Sequence, residues 1–285
     1  MNKVITIKEP FPLKTLRWVY PKIERILPSL AHKIAFNLFF SPFRFTRPKR
    51  ELKAFESAKV NIVKVNNKNV QLYEWGIKRN PIIVMVHGWS GRGTQFFKFI
   101  APLIAEGYRV ITFDAPAHGL SQGKITNIKE FTDVLSYIET NIGTIKVGIG
   151  HSFGGVSLIY AKKLGLQLDN IVMISSPTVG EDILTSFRNK IGASPETSLA
   201  LRNLVAKNFQ IDFEGLTACA LVANMPIKNL LIIHDRNDSE VPYTNAEALK
   251  KASSRAELIL TNNLGHTRIL RDDKVVETVV KFAIK

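Results

Sequence analysis

Cysteine is almost missing from this chain: Cys219 stands alone. One thiol can neither close an intrachain disulfide nor build a Cys-based zinc site, and such usage fits a reducing compartment. Long apolar runs are missing as well. No stretch approaches the roughly 18 uninterrupted apolar residues of a bilayer-spanning helix. Met1–Pro12 alternates polar and apolar residues among prolines and lacks the apolar core of a secretory signal. The expected location is cytoplasmic. Acidic residues are scarce, 24 Asp and Glu against 39 Lys and Arg, a net charge of +15. The imbalance is uneven: residues 1–60 hold thirteen basic and four acidic side chains, leaving +6 for the other 225 residues. A basic first fifth fits contact with an anionic surface as well as a merely solvated face. No groove-reading motif accompanies the charge, so no nucleic-acid partner is expected. Peripheral contact with the inner face of a membrane through this region is the partner expectation.

With 45% hydrophobic residues, the 285-residue chain can bury a sizeable core. Residues 1–59 form a basic, Pro- and Phe-rich extension in which prolines punctuate short helical pieces. Ser29 is placed to cap a helix with Leu30, Ile34 and Leu38 on one stripe. From residue 60 to 285 the pattern changes. Val60–Val65 and Val70–Trp75 flank Asn66-Asn67-Lys68-Asn69 and read as a hairpin. Six nearly uniformly apolar runs follow: Ile82–Val86, Val110–Phe113, Lys146–Ile149, Ile171–Ile174, Leu230–Ile233 and Leu258–Leu260. Such strands belong in a sheet covered on both faces. Helical patterns separate most of them, so the expectation is an α/β fold with a mostly parallel eight-stranded sheet and helices on both faces. About fifty residues between Pro177 and Lys228 carry helical patterns and no strand. They read as a small helical cap, at about 178–228, inserted after the sixth strand.

The chain is organised around Gly150-His151-Ser152-Phe153-Gly154. A β-branched run stops at Gly150, and a segment with helical apolar spacing follows Gly154. Glycines two before and two after the serine fit G-x-S-x-G, a sharp turn that lifts one hydroxyl out as a candidate nucleophile. A serine hydroxyl is weak at neutral pH and requires a base, an orienting acid and oxyanion donors. Among six histidines, His266 combines a loop beyond the last strand with freedom to reach across. His87, His118 and His151 sit in or beside glycine-bearing turns, and His234 ends a strand as a hydrogen-bonded structural residue. For the acid, Asp238 is favoured over Asp235, Glu181 and Asp182, because it precedes Val241-Pro242 at the start of an expected helix. The backbone N–H groups of Phe153 and Trp89 are the oxyanion donors. Arg92 is a candidate for an anionic part of the substrate as well as for a structural or solvent-exposed arginine. Phe187, with Leu199, Leu204 and Phe209, is a candidate lining for an acyl pocket as well as for packing within the cap.

The same glycines fail as nucleotide motifs. Gly148-Ile149-Gly150 lacks the third glycine, which Phe153 replaces, and Gly88 to Gly93 runs into Thr94 where a phosphate loop needs lysine. No histidines are spaced for a shared metal, so neither cofactor nor metal is expected.

From about Val60 to the carboxyl end the chain resembles the α/β-hydrolase superfamily, in its serine hydrolase, esterase- and lipase-like branch. The resemblance rests on His87-Gly88-Trp89, on Asp114 to Ser121, on Gly150 to Gly154, on Asp238 with Val241-Pro242, and on Gly265-His266, in the order Ser, Asp, His. It implies Ser152 as nucleophile, His266 as base then acid, and Asp238 as orienter. Where commoner relatives carry glycine this chain has Ala117, for which a local backbone difference is expected. The implied activity is hydrolysis of a small-molecule carboxylic ester or thioester through an acyl-enzyme. Acyl transfer or C–C bond hydrolysis on the same residues is the alternative, as is a membrane-surface or partner-binding protein on a retained scaffold.

Overall fold

A computed structural model describes residues 11–209, 212–225 and 227–285. In chain order the helices α1 (Phe11–Ile26), α2 (Pro28–Phe39) and α3 (Leu52–Ser57) lead into β1 (Lys59–Val65), β2 (Lys68–Trp75) and β3 (Ile82–Val86). Then come α4 (Phe97–Ala105), β4 (Arg109–Asp114), α5 (Ile128–Asn141), β5 (Ile145–His151), α6 (Phe153–Lys163) and β6 (Asn170–Ile174). The chain continues through α7 (Gly180–Ile191), α8 (Pro195–Phe209), α9 (Ala218–Ala223), β7 (Asn229–Asp235), α10 (Thr244–Ala252) and β8 (Ala256–Thr261). It closes with the short α11 (Gly265–Arg268) and with α12 (Asp273–Ala283). No described helix is long and apolar enough to cross a membrane.

The eight strands form one open sheet in the order β1-β2-β4-β3-β5-β6-β7-β8. β1 and β2 make the expected hairpin, antiparallel through Val65↔Lys68, and β2 pairs antiparallel with β4. Asn66 and Asn67 turn the hairpin at φ of 46° and 63°, a left-handed pair that asparagine tolerates. From β4 onward every pairing is parallel. Alternation along each central strand serves both faces. Val84 and Val86 pack with Leu135 and Ile138 of α5 and Leu158 of α6, whereas Ile83 and Met85 pack with Phe99 and Leu103 of α4 and Val279 of α12. Because both faces are buried, no polar position interrupts β3. Phe99 is fully buried, so Phe99→Ala would cost about 3–5 kcal/mol. Helix starts follow local chemistry: Asn127 accepts from the N–H of Glu130, and Asp272 from that of Val275.

The chain divides into two compact units. One holds residues 40–180 and 214–285, with the whole sheet; the other combines the described residues before Phe40 with Glu181–Phe213. In the second unit Tyr20, Ala31, Ala35, Leu184, Ile191 and Leu201 form a core of their own. The Tyr20 hydroxyl is 3.0 Å from Thr197 Oγ1, and Glu24 accepts from the N–H of Ser194 at 3.0 Å. The expected extension 1–59 and insertion 178–228 thus contribute halves of one unit, while residues 40–58 and α9 belong with the sheet.

Three local expectations change. α1 runs through Pro21, which is exposed, so the ring removes one hydrogen bond without ending the helix. α2 begins at Pro28 rather than after a Ser29 cap, because proline is preorganised for the first helical position. α10 begins at Thr244, two residues beyond Pro242. The reading of Met1–Pro12 falls largely outside the described residues.

Candidate active site

Ser152 sits between β5 and α6 at φ 52° and ψ −124°, a strained conformation for a side chain with a Cβ. Its N–H donates to Ile174 O at 2.8 Å, and its carbonyl accepts from Gly155 N–H at 3.0 Å. The flanking glycines are required by contact. A Cβ at Gly150 would stand 2.4 Å from Gly155, and one at Gly154 would stand 2.1 Å from Val86 O. Strand, turn and helix therefore close on each other only without side chains there. The G-x-S-x-G reading holds in its local geometry.

His266 follows β8 in α11. Its Nδ1 lies 2.8 Å from Asp238 Oδ2, whose carboxylate is fully buried. Asp238 Oδ1 accepts from the N–H groups of Glu240 at 2.9 Å and Val241 at 3.0 Å. Nε2 of His234, which donates to Val241 O at 3.0 Å, is 3.5 Å from the same Oδ2. Burial works against this carboxylate, but the donors from His234, His266 and Val241 outweigh it and hold the carboxyl well below the usual carboxylate range. Asp238 is thus an anion facing an imidazole N–H. That arrangement fixes the tautomer and leaves Nε2 of His266 as the basic nitrogen. Among the described residues no hydrogen bond reaches Ser152 Oγ or His266 Nε2.

Asp235, the other carboxylate after β7, accepts from Thr261 Oγ1 at 2.7 Å and from the N–H groups of Asn237 and Leu264. It pins the β8 loop that carries His266. Glu181 lies in the other unit and pairs with Arg202 at 2.6 Å.

The β3 loop approaches Ser152 at Gly88, where an added Cβ would stand 2.7 Å from the serine Cβ. Trp89 and Phe153 face each other with rings 5.3 Å apart at 83°. Neither backbone N–H donates to a described residue. Behind them three histidines are buried and neutral. His87 Nδ1 donates to Gly88 O and its Nε2 accepts from Ala115 N–H. His118 Nε2 accepts from Ser90 N–H at 3.0 Å while Nδ1 donates to Pro116 O. His151 Nε2 donates to His266 O at 2.8 Å, and its Nδ1 accepts from Gln95 at 3.2 Å. Burial lowers their pKa values to about 4 for His87 and about 3 for His118 and His151. Sequence reasoning missed the part of His151, whose ring lies 4.8 Å from that of His266. Its place beside Ser152 was the available signal, but a contact 115 residues along the chain was not.

Asp114 ties these loops together, accepting from Gly93 N–H, Leu120 N–H and the Tyr73 hydroxyl at 2.8–2.9 Å. Arg47 bonds Tyr73 and Thr94, and Thr94 in turn donates to Glu51. Arg92 ends in this network, 8% exposed with Nε 3.9 Å from Glu51 Oε2. It is a buried partner of that carboxylate, not a group presented to a substrate. Arg44 donates to the carbonyls of Ala117, Ser121 and Gly123, which occupies the guanidinium within the unit. Phe187 packs edge-on against Phe39 at 5.0 Å inside the smaller unit. Leu199 is exposed, and the side chain of Phe209 lies outside the described residues. Ala117 keeps φ at 67°, so the backbone holds the left-handed turn and alanine takes the strain in place of the expected local difference.

Comparison with known proteins agrees with this architecture. A model described as "Alpha/beta hydrolase family" matches residues 83–218. A serine hydrolase-like protein of Mus musculus is 26% identical over 117 residues, covering 38% of this chain and 36% of that protein. A putative chloroplastic methylesterase of Arabidopsis thaliana is 29% identical over 136 residues, covering 43% of this chain and 34% of the relative. The chain thus spans about a third of the length of these curated relatives. An esterase of Pyrococcus furiosus superposes with a TM-score of 0.61 at 20% identity, covering 85% of this chain and 96% of the esterase. Sheet order, serine turn and structural likeness agree that the chain has the α/β-hydrolase fold, and residues 83–218 match the family itself.

Proposed function

We propose that this protein hydrolyses a carboxylic ester or thioester through an acyl-enzyme on Ser152. The observation that carries the reading is the 2.8 Å contact of His266 Nδ1 with the buried Asp238 carboxylate. It is joined by the strained φ of Ser152. A neutral imidazole backed by a fixed anion is the base that a serine hydroxyl lacks. In the proposed cycle His266 Nε2 takes the Ser152 proton as Oγ bonds to the acyl carbon. Asp238 stabilises the imidazolium. The same proton then goes to the leaving alkoxide or thiolate, and water releases the acid by the reverse sequence. The N–H groups of Phe153 and Trp89 receive the oxyanion. Phe153 heads α6, whose dipole favours negative charge at that end.

A fluorophosphonate probe tests the nucleophile. Wild type should be labelled and Ser152→Ala should not; equal labelling of both would remove the proposal. Turnover of p-nitrophenyl esters of increasing acyl length, repeated with acyl thioesters, then distinguishes the two substrate classes. His266→Ala should lower kcat by about 10⁴-fold or more on either.

A further inference from the structure

α1 and α2 bury one side and leave the other with apolar side chains that no described residue of their unit covers. Tyr20, Ala31 and Ala35 are fully buried and supply the packing that these helices need. On the opposite side Trp18 is 68% exposed, Ile26 74%, Leu27 54% and Leu30 48%. Trp18 and Ile26 lie eight residues apart on α1, Leu27 sits in the turn, and Leu30 opens α2. Four large side chains in water at one helix-turn-helix corner are not needed for this core.

Charge decides what covers them. Lys22, Arg25 and Lys33 flank this corner in the chain and are exposed, as is Lys14 earlier on α1. The Lys22 ammonium lies 2.9 Å from the centre of the Trp18 ring, so one cation is held over the largest exposed apolar surface. Glu24 is the only acidic residue from 11 to 39, and its carboxylate is spent inward on Ser194 and Thr197. Within α1 and α2 no other acidic side chain offsets the cations.

We propose that this corner docks on an anionic lipid bilayer, with Trp18, Ile26, Leu27 and Leu30 entering the headgroup boundary and the basic side chains engaging lipid phosphates. Tryptophan prefers the membrane–water interface, and an amphipathic helix with basic flanks lies in it rather than crossing. Long lysine and arginine stems cover apolar surface while their heads stay wet. The acyl-hydrolase reading is not required, because the docking residues share no atom with Ser152, Asp238 or His266.

The test is co-sedimentation of the full-length chain with vesicles of phosphatidylcholine alone and of phosphatidylcholine containing phosphatidylglycerol. Binding should favour the anionic vesicles and weaken as salt rises. Each of Lys22→Gln and Arg25→Gln should weaken it by about fivefold. Ile26→Ser with Leu27→Ser should weaken it as strongly at unchanged charge and unchanged hydrolysis of a water-soluble ester. Brominated lipid should quench fluorescence in wild type and not in Trp18→Phe. Absence of binding to anionic vesicles, or binding indifferent to both sets of substitutions, would overturn the proposal. So would a self-associating chain that Ile26→Ser dissociates without changing vesicle binding, because the corner would then cover a second copy.

Discussion

Gly88 and Ser152 are packed so closely that a Cβ on the glycine would stand 2.7 Å from the Cβ of the serine. Unbonded carbons settle at about 3.5–4.0 Å, so Gly88→Ala must push the β3 loop and the nucleophile turn apart. Displacement approaching 1 Å at a reacting group costs on the order of 100-fold in rate. Gly88→Ala is expected to lose that much kcat on a p-nitrophenyl ester while its circular dichroism stays that of wild type. Full activity would show that the loop has no part in catalysis.

Asp238→Asn should lower kcat by about 10⁴-fold, because an amide no longer enforces the imidazole tautomer. The stability consequence has a defined sign. The folded carboxyl titrates below its unfolded value, so its contribution is complete above about pH 4 and fades as pH falls further. Urea unfolding of wild type and Asp238→Asn should therefore show the largest gap near neutrality and a shrinking one in acid.

The neutral histidines behave differently. With folded values of about 4, 3 and 3 for His87, His118 and His151, the unfolded chain binds protons first, near pH 6.5. Stability is then full above pH 6.5 and falls by up to about 1.4 kcal/mol per pH unit per histidine toward the folded values. Unfolding free energy measured from pH 7 to pH 5 should drop steeply. The slope should lessen by about a third in His118→Gln.

Ala117 occupies the left-handed region at φ 67° and is 1% exposed. Relief of its strain on Ala117→Gly is worth about 1 kcal/mol, offset in part by the freer unfolded glycine. Unfolding should move up by roughly 2 °C. Ala117→Val should move it down, since a β-branched residue tolerates that φ poorly.

Strand order aside, the sheet was legible because its strands are short, apolar and bounded by polar loops, from Ile82–Val86 to Leu230–Ile233. The sharp turn at Ser152 was legible because glycine spacing is itself the geometric requirement. Asp238 and His266 were readable as loop residues beyond successive strands, and they do meet. Arg92 stayed open between a substrate contact and a structural role because its fate depends on Glu51, 41 residues earlier, and no local pattern announces a buried ion pair. Phe187 was open for the same reason: an apolar residue on α7 packs on whatever helix is nearest, here α2 through Phe39. The membership of α1 and α2 in one unit with α7 and α8 rests on contacts such as Phe39 with Phe187 and Tyr20 with Thr197, 148 and 177 residues apart, which periodicity cannot express.

The Glu51 network and the Tyr20 core together mean that the described segment ahead of β1 is no disposable appendage. A chain trimmed to begin at β1 would lose Glu51 and Arg47 and strand the Arg92 guanidinium in the interior without its counter-ion. Trimming only to Phe40 spares that network but strips Tyr20, Ala31 and Ala35 from Leu184 and Leu201, leaving two later helices with bared apolar sides. A version shortened at either point for expression or crystallisation would inherit the corresponding defect.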